Sequence, residues 1–323
     1  MLNFQEALTI VNQQIKAIEY PENPSGLYAP ISYILALKGK KIRPAITLLA
    51  CNLYKDNIDE AINPALAWEI FHNFTLMHDD VMDKAELRRG QATVHKKWNE
   101  NTAILSGDVM LILAYQYMLK SAPEYLNPLL HLFSQTAAMI CEGQQFDMEF
   151  ENCREISPEK YISMIRLKTA VMLGACLKTG ATIGGASEND LQNLYDFGIN
   201  LGIAFQIKDD YLDVFGNPDV FGKTTGGDIL CNKKTFLSVQ ALNSEDENVR
   251  KNMCLWMSNN DVLEKKIEAV RNLYNDAAIG EQADQAINHY YEKAVSALQS
   301  VSVTEEKKSV LYNLAKDLMN REN

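Results

Sequence analysis

Apolar residues recur at intervals of three and four along most of the chain, which is the spacing of one buried helix face. The first such stripe lies near the start and consists of Phe4, Ala7, Leu8, Val11, Ile15 and Ile18. A second stripe predicts one long helix from Asp59 to Asp83, and it consists of Ala67, Ile70, Phe71, Phe74 and Met77.

The same spacing predicts further long helices, at about 99–120, 127–152, 158–179 and 188–214, and more helices from about 233 onward. Ser157 followed by Pro158 is typical of a helix start, because proline fits the first helical position. Alternation with a period of two, which would indicate strands, is not convincing anywhere. The pattern therefore predicts an all-α fold with a single domain over residues 1–323.

Composition agrees with long helices in a large core. The chain has 323 residues and is 47% hydrophobic, with only 16 glycines and 9 prolines to interrupt helices. Its net charge of −11 argues against general binding to nucleic acid or to anionic membranes.

Location is predicted from what the sequence lacks. The N-terminus does not resemble a signal peptide, and no apolar run approaches the ~20 residues that span a bilayer. The six cysteines show no CxxC spacing, which favours reduced, mostly buried thiols in a cytoplasmic protein.

Two aspartate triplets with identical spacing carry the candidate chemistry. The first is Asp79, Asp80 and Asp83, and the second is Asp209, Asp210 and Asp213. Each follows an apolar helix, and residues four apart share a helix face. Like charges at that spacing repel each other, so the pattern favours a bound cation.

Hard carboxylate oxygens on few side chains suit Mg²⁺, which completes its shell with water and substrate phosphate oxygens. A single triplet fits a solvated acidic helix end equally well. Two copies, each followed by basic residues, favour a metal–diphosphate site.

Basic residues gather outside both triplets although the chain is acidic. Arg88 and Arg89 follow the first triplet, and adjacent arginines diverge, so they could bind two different diphosphates. Lysines and an arginine around Gly39 precede a predicted helix, where they could bind an anion near its N-terminus, and further lysines follow the second triplet.

These motifs resemble those of the trans-isoprenyl diphosphate synthases, in family order and spacing, from Lys38 to Thr235. The matching segments are GKKIRP (39–44), FHNFTLMHDDVMDKAELRRG (71–90), GQQFD (143–147), KT (168–169), FQIKDDYLD (205–213) and GKTTGGDILCNKKT (222–235). The chain departs from the family at Lys38, where the pattern has glycine, and Asn232 stands where many members have glycine.

The resemblance implies a bundle of long antiparallel helices around a deep central cavity, three Mg²⁺ ions in each active site, and a homodimer. It assigns all six aspartates to metal binding. The allylic diphosphate would be bound by Arg88, Lys168, Lys223 and Lys233, with Thr169 and Gln206 beside the reacting carbon. The isopentenyl diphosphate site would consist of Lys40, Arg43, His72 and Arg89.

The implied reaction is a head-to-tail condensation. Magnesium would help diphosphate to leave the allylic substrate, the double bond of isopentenyl diphosphate would attack the resulting cation, and loss of a proton would give the product. The residues that carry catalysis would be Asp79, Asp209, Lys168, Thr169 and Gln206. Allylic substrates would be dimethylallyl, geranyl or farnesyl diphosphate.

Product length is predicted from the helix that carries the first triplet. Phe74 lies five residues before Asp79, Phe71 lies eight before it and Thr75 lies four before it. An aromatic residue at the fifth position resembles the short-chain members. Two stacked phenylalanine rings would block the cavity early, which favours a product of fifteen carbons over one of twenty, unless the rings face ordinary core. Phe146 and Met148 are predicted as core residues.

Two other functions fit part of the pattern. A class I terpene cyclase would share the first triplet, but it normally replaces the second with an Asn/Asp, Ser/Thr, Glu motif. A non-catalytic partner subunit of another synthase would be expected to lose aspartates, and all six are present.

Overall fold

The computed structural model describes residues 1–153, 155–216, 226–258 and 263–320, and it is 79% helical. The helices are α1 (Phe4–Lys16), α2 (Ser25–Ala36), α3 (Ile42–Asn52), α4 (Asp59–Met82), α5 (Val94–Lys97), α6 (Glu100–Met118), α7 (Pro123–Asn152), α8 (Pro158–Ile165), α9 (Val171–Gly184), α10 (Glu188–Phe215), α11 (Gly227–Leu230), α12 (Phe236–Leu242), α13 (Glu247–Ser258), α14 (Leu263–Asp276), α15 (Ile279–Gln299) and α16 (Glu305–Asn320).

The predicted long helices are confirmed, with two differences. The helix expected at 127 begins at Pro123 instead. The helix expected at 158–179 extends to Gly184 and contains a π-helical turn, Arg166–Ala170, between α8 and α9. Ser157 caps α8 as predicted, since its hydroxyl accepts a hydrogen bond from the backbone N–H of Lys160 at 3.3 Å.

A two-stranded hairpin was not predicted. Strands β1 (Leu87–Arg88) and β2 (Gln91–Ala92) pair in antiparallel register, with Arg88 opposite Gln91. Both turn residues between them, Arg89 and Gly90, have positive φ, which a two-residue type I′ turn requires. Two residues per strand are too few for a visible alternation, and this explains why the pattern of apolar positions missed it.

The chain divides into two compact units. The first comprises residues 1–134, 175–192 and 302–311, and the second comprises 135–174, 193–301 and 312–323. The single-domain interpretation over residues 1–323 stays a prediction, as does the central cavity. No helix among the described residues has both the length and the apolar character needed to cross a membrane.

The core of the first unit is built around α4, which packs against α3 and α6. Trp68, Phe71 and Phe133 are buried there with edge-on or tilted ring contacts. The indole N–H of Trp68 donates to the Thr179 hydroxyl at 3.0 Å, so its polar atom is also satisfied. This packing fixes the helix that ends in the first aspartate triplet.

The second unit buries Tyr161, Phe197, Phe236 and Tyr274. Its α9 and α10 approach closely, because a Cβ on Gly198 would lie 2.6 Å from the Cα of Gly174. The approach holds α10, which carries the second aspartate triplet, against the π-helical turn region.

Some surface predictions were wrong. Phe146 and Met148, predicted as core, are each 42% exposed on α7. All six cysteines are free thiols, but four are exposed rather than buried, namely Cys141, Cys153, Cys231 and Cys254.

Candidate active site

The first triplet lies at the C-terminal end of α4, and its three members have different environments. Asp80 is only 2% exposed, Asp79 is half-buried, and Asp83 is the exposed C-cap of the helix. The helix C-terminus carries the negative end of the helix dipole, so these carboxylates add to a field that already attracts cations. Asp79 and Asp83, four residues apart, form the more open edge.

Arg88 neutralises the buried member of this triplet. Its Nε and Nη2 donate to Asp80 Oδ1 at 2.9 and 2.5 Å, and Nη2 also lies 3.9 Å from Asp79 Oδ2. Burial raises the pKa of Asp80, and the Arg88 guanidinium partly offsets this. Burial alone would lower the pKa of Arg88, but Asp80 and Asp79 outweigh it and raise that pKa. Asp80 therefore orients Arg88 beside Asp79.

Arg89 points elsewhere, as the divergence of adjacent arginines predicted. Its guanidinium lies against Gly39, where a Cβ would be 2.6 Å from Arg89 Cζ. A larger residue at position 39 would therefore make the Arg89 guanidinium move. The hairpin thus gives one arginine to the aspartates and the other to the GKKIRP segment.

The candidate isopentenyl diphosphate residues of the first unit meet around His72. Arg43 Nη1 lies 3.3 Å from His72 Nε2, and a guanidinium can only donate, so this ring nitrogen accepts. Burial and the nearby Arg43 and Arg89 hold the pKa of His72 well below its usual range. Burial also lowers the pKa of Arg43. Lys40 is exposed and lies three residues before Arg43 in the sequence.

Sequence reasoning missed Glu69, which lies three residues before His72 on α4 and is 1% exposed. Its carboxylate accepts from Asn73 Nδ2 at 3.0 Å. Burial raises the pKa of Glu69, and Lys41 acts in the opposite direction. Its three-residue spacing from His72 was the available signal, because residues three apart share a helix face.

The second triplet repeats the burial pattern of the first. Asp210 is 5% exposed, whereas Asp209 and Asp213 are half-buried. Asp210 Oδ2 accepts from the Tyr161 hydroxyl and from the backbone N–H of Phe236, the latter at 2.8 Å. Burial and the neighbouring Asp228 raise the pKa of Asp210 to about 7.

Asp213 is engaged with the chain that follows it. Its Oδ2 accepts from the backbone N–H of Asp228 at 3.1 Å, and its carbonyl accepts from Gly226 at 2.6 Å. Asp209 is half-buried and lies six residues before the last residue of α10.

The π-helical turn carries the two residues of the KT motif. Lys168 Nζ donates to Asp147 Oδ2 at 2.6 Å. The Thr169 hydroxyl donates to Gln206 Oε1 at 3.2 Å, and Gln206 Nε2 donates to Asp210 Oδ1 at the same distance. Thr169, Gln206 and Asp210 therefore form one hydrogen-bonded chain in the second unit, and Lys168 forms a separate pair with Asp147.

Gly143 explains how the π-helical turn is accommodated. A Cβ at this position would lie 2.7 Å from the Cα of Lys168 and 2.8 Å from the carbonyl carbon of Leu167. Asp147 follows four residues later on the same face of α7 and binds Lys168. The GQQFD motif therefore supports Lys168 in two ways, by close backbone approach and by an ion pair.

The remaining predicted residues have mixed outcomes. Lys233 is exposed after α11, and Lys223 lies outside the described residues. Phe71 and Phe74 are in ring contact at 5.5 Å, but their planes are inclined by 48°, so the prediction of stacked rings is wrong. Phe71 is 1% exposed within the core, whereas Phe74 and Thr75 are half-buried.

The donor set fits magnesium that takes further ligands from water and substrate. Within the described part of the chain, no three acidic, histidine or cysteine side chains converge as a self-contained metal site. Asp79 with Asp83, and Asp209, offer hard carboxylate oxygens at helix ends, and Mg²⁺ commonly combines one or two carboxylates with water and substrate phosphate oxygens. The residues present therefore fit Mg²⁺ that arrives with a diphosphate.

Comparison with known proteins gives the class. The sequence model of the polyprenyl synthetase family matches residues 24–276. The geranylgeranyl diphosphate synthase of Methanosarcina mazei is 34% identical over 301 residues, covering 93% of this chain and 91% of that protein. The geranylfarnesyl diphosphate synthase of Natronomonas pharaonis is 35% identical over 255 residues, covering 73% and 74%.

A crystal structure of a geranylgeranyl pyrophosphate synthase superposes with a TM-score of 0.95 at 40% identity and covers 100% of both chains. The fold is thus the all-α fold of the isoprenyl synthases. The chain belongs to the polyprenyl synthetase family. It is a prenyltransferase of the short-chain trans type, and catalysis in this family depends on magnesium.

Replacement of Gly143 by alanine tests the support of the π-helical turn. The added methyl group meets backbone rather than a flexible side chain, so Lys168 and Thr169 must shift. We expect kcat/KM for prenyl transfer to fall by about 100-fold, since a small misplacement of catalytic groups has effects of this order. Steady-state kinetics of the purified variant and wild-type proteins measure this fall in kcat/KM.

The matched control is Gly26→Ala, because a Cβ at Gly26 would meet nothing within 4 Å. Wild-type kinetics in Gly143→Ala, with the control also unchanged, would show that the turn does not depend on this glycine.

Proposed function

We propose that this enzyme condenses isopentenyl diphosphate with dimethylallyl, geranyl or farnesyl diphosphate, in the presence of Mg²⁺, to give farnesyl or geranylgeranyl diphosphate. The observation that carries the proposal is the repeated environment of the two triplets. In each, the middle aspartate is buried against protein donors while the first stays half-buried at a helix end.

The metal ligands in this proposal are the two triplets, Asp79, Asp80 and Asp83 in the first and Asp209, Asp210 and Asp213 in the second. Asp80 also accepts hydrogen bonds from Arg88, Asp210 from Tyr161 and the backbone of Phe236, and Asp213 from the backbone of Asp228. Three ions per active site is the number that the family resemblance favours. Bound Mg²⁺ supplies Lewis-acid stabilisation of the departing diphosphate.

The allylic diphosphate is bound by Arg88, Lys168, Lys233 and Lys223. Hydrogen bonds support this role for two of these four residues, because Asp80 orients the Arg88 guanidinium and Asp147 orients the Lys168 ammonium. A cation whose geometry is fixed before the substrate arrives needs little reorganisation when negative charge develops on the leaving group.

Thr169 and Gln206 stabilise positive charge on the allylic carbon. The Thr169 hydroxyl donates its proton to Gln206, so the lone pairs of its oxygen remain for the cation. Gln206 is in turn fixed by Asp210. No side-chain nucleophile is required, because carbon–oxygen cleavage and attack by the double bond make the new carbon–carbon bond.

Isopentenyl diphosphate is bound by Lys40, Arg43, His72 and Arg89. His72 Nε2 accepts from Arg43, so in the neutral ring Nδ1 carries the proton and can donate to a phosphate oxygen. Buried Glu69 balances part of this positive charge. The diphosphate released from the allylic substrate takes up the proton that the product loses.

Product length is set by Phe74, with Phe71 and Thr75 beside it. Phe71 is buried in the core, and its ring is inclined to that of Phe74. The two rings therefore do not stack, and Phe71 adds nothing to the block that Phe74 would place in the path of the growing chain. This removes the argument for fifteen carbons, and we favour twenty, the product named for the geranylgeranyl diphosphate synthase relatives.

The two triplets are tested by Asp79→Asn and Asp209→Asn. We expect kcat to fall by about 10³-fold in each, because metal-assisted stabilisation of the leaving group is worth several kcal/mol. The Mg²⁺ concentration for half-maximal rate should also rise. The assay uses isopentenyl diphosphate with geranyl diphosphate and separates products by chain length.

Asp59→Asn, an exposed aspartate in the first turn of α4, is the control and should behave as wild type. Cyclic hydrocarbon from the allylic substrate alone would support a terpene cyclase instead. Failure of the wild-type protein to extend any allylic diphosphate would favour a partner subunit.

Chain length is tested by Phe74→Ala. Removal of the half-buried ring should shift the product distribution toward longer chains, as resolved by reversed-phase chromatography of the dephosphorylated products. Phe146→Ala, at an exposed phenylalanine on α7, serves as control. An unchanged distribution in Phe74→Ala would sink the obstruction hypothesis.

We also propose a homodimer, supported by an apolar stripe on α6. Leu105, Ile112 and Leu119 are each more than half exposed and recur every seven residues, so they line one face of the helix. Ile112→Asp should shift the protein from dimer to monomer in sedimentation velocity. Leu255→Asp, at an equally exposed leucine on α13, should leave the mass unchanged. A wild-type monomer would contradict the proposal.

A further inference from the structure

The segment that carries Lys233 is held at both ends. The side chain of Asp213 accepts from the backbone of Asp228 at 3.1 Å, and that of Asp210 accepts from the backbone of Phe236 at 2.8 Å. Gly226 packs on α14, where a Cβ would lie 2.9 Å from Ile267 Cγ2. These contacts fix where residues 226–236 begin and end, but they do not reach the turn that directly precedes Lys233.

That turn is reached by a lysine to which no role has been assigned. Lys266, on α14, is 1% exposed, and its Nζ donates to Asn232 Oδ1 at 2.7 Å. Asn232 itself is half-buried, so its amide lies at the boundary between the interior and solvent. The buried ammonium of Lys266 therefore binds the turn on its interior side, through the residue directly before Lys233.

The turn has a backbone that needs support. Asn232 has a φ of 56°, in the left-handed region that residues other than glycine adopt rarely. Its N–H donates to the carbonyl of Ile229 at 3.2 Å, and the N–H of Lys233 donates to that of Asp228 at 2.9 Å. This tight turn directs the chain so that the Lys233 side chain is exposed.

Burial of an ammonium group is costly, and an apolar side chain of similar length would fill the same space without that cost. Packing alone thus gives no reason for a lysine at position 266. We propose that Lys266 is a positioning residue, whose hydrogen bond to Asn232 fixes the turn that presents Lys233 to the allylic diphosphate. This inference rests on the proposed role of Lys233 as a ligand of that diphosphate.

The test is Lys266→Met, with Lys265→Met as the matched control, since Lys265 is the exposed neighbour on the same helix. We expect the KM for the allylic diphosphate to rise by about tenfold in Lys266→Met, which corresponds to ~1.4 kcal/mol. The KM for isopentenyl diphosphate and the melting temperature should both stay at their wild-type values. A merely structural role would instead lower the melting temperature and leave the two KM values in their wild-type ratio.

Variants at the partner give an independent measurement. Asn232→Gly removes the amide and still tolerates the left-handed backbone, so it should raise the allylic KM as Lys266→Met does. Asn232→Asp keeps an acceptor for the ammonium and should retain the wild-type allylic KM. If Lys266→Met does not fold, Asn232→Gly decides the question by the same criterion.

Lys233→Ala separates this inference from the function on which it rests. A raised allylic KM in Lys233→Ala, with wild-type values in Lys266→Met and Asn232→Gly, would overturn the positioning role alone. An unchanged allylic KM in Lys233→Ala would overturn the role of Lys233 and the positioning role together.

Discussion

Repulsion between carboxylates at helix ends is the constraint on which the site depends. Asp79 and Asp83 lie at the end of α4, and Asp209 lies near the end of α10, where the helix dipole already adds negative charge. Nearby cations relieve this repulsion. The protein supplies one of them itself, the Arg88 guanidinium beside Asp79 and Asp80, and in the proposed function magnesium supplies the others.

The middle aspartate of each triplet has a different task from its neighbours. Asp80 anchors Arg88, and Asp210 anchors Tyr161, Gln206 and the backbone of Phe236. A buried carboxylate that accepts several hydrogen bonds is a rigid support, because each bond restricts its rotation. Each triplet, all of whose members we propose as ligands, thus combines two less buried carboxylates with one buried carboxylate that orients the surrounding basic and polar groups.

Several of the residues that we propose as functional, or their direct neighbours, have an uncommon backbone conformation. Arg89 and Asn232 have positive φ, and Lys168 and Thr169 lie in a π-helical turn. Conformations of this kind persist only when the surroundings determine them, and here the surroundings are identifiable. Gly143 admits the turn, Gly39 makes room for Arg89, and Lys266 holds the residue before Lys233. Precision at the site is therefore built from close backbone approach and buried polar contacts.

The sequence by itself determined the long helices, the two triplets and the class of chemistry. Apolar periodicity reports burial of a helix face directly, and the triplets differ from their surroundings in charge and in spacing. The extended α4 and its buried stripe of Ala67, Ile70, Phe71 and Met77 follow from that periodicity alone.

Only the tertiary structure decided which members of each set do which task. The hairpin of Arg88 and Arg89, the π-helical turn, the burial of Asp80 and Asp210, and the contacts of Glu69, Asp147 and Lys266 all depend on partners that are distant in the sequence or on two-residue elements. Local patterns carry no information about such partners, since hydrogen bonding and desolvation are set by whatever packs against a side chain. For the same reason the exposure of Phe146 and Met148 could not be foreseen from their apolar character.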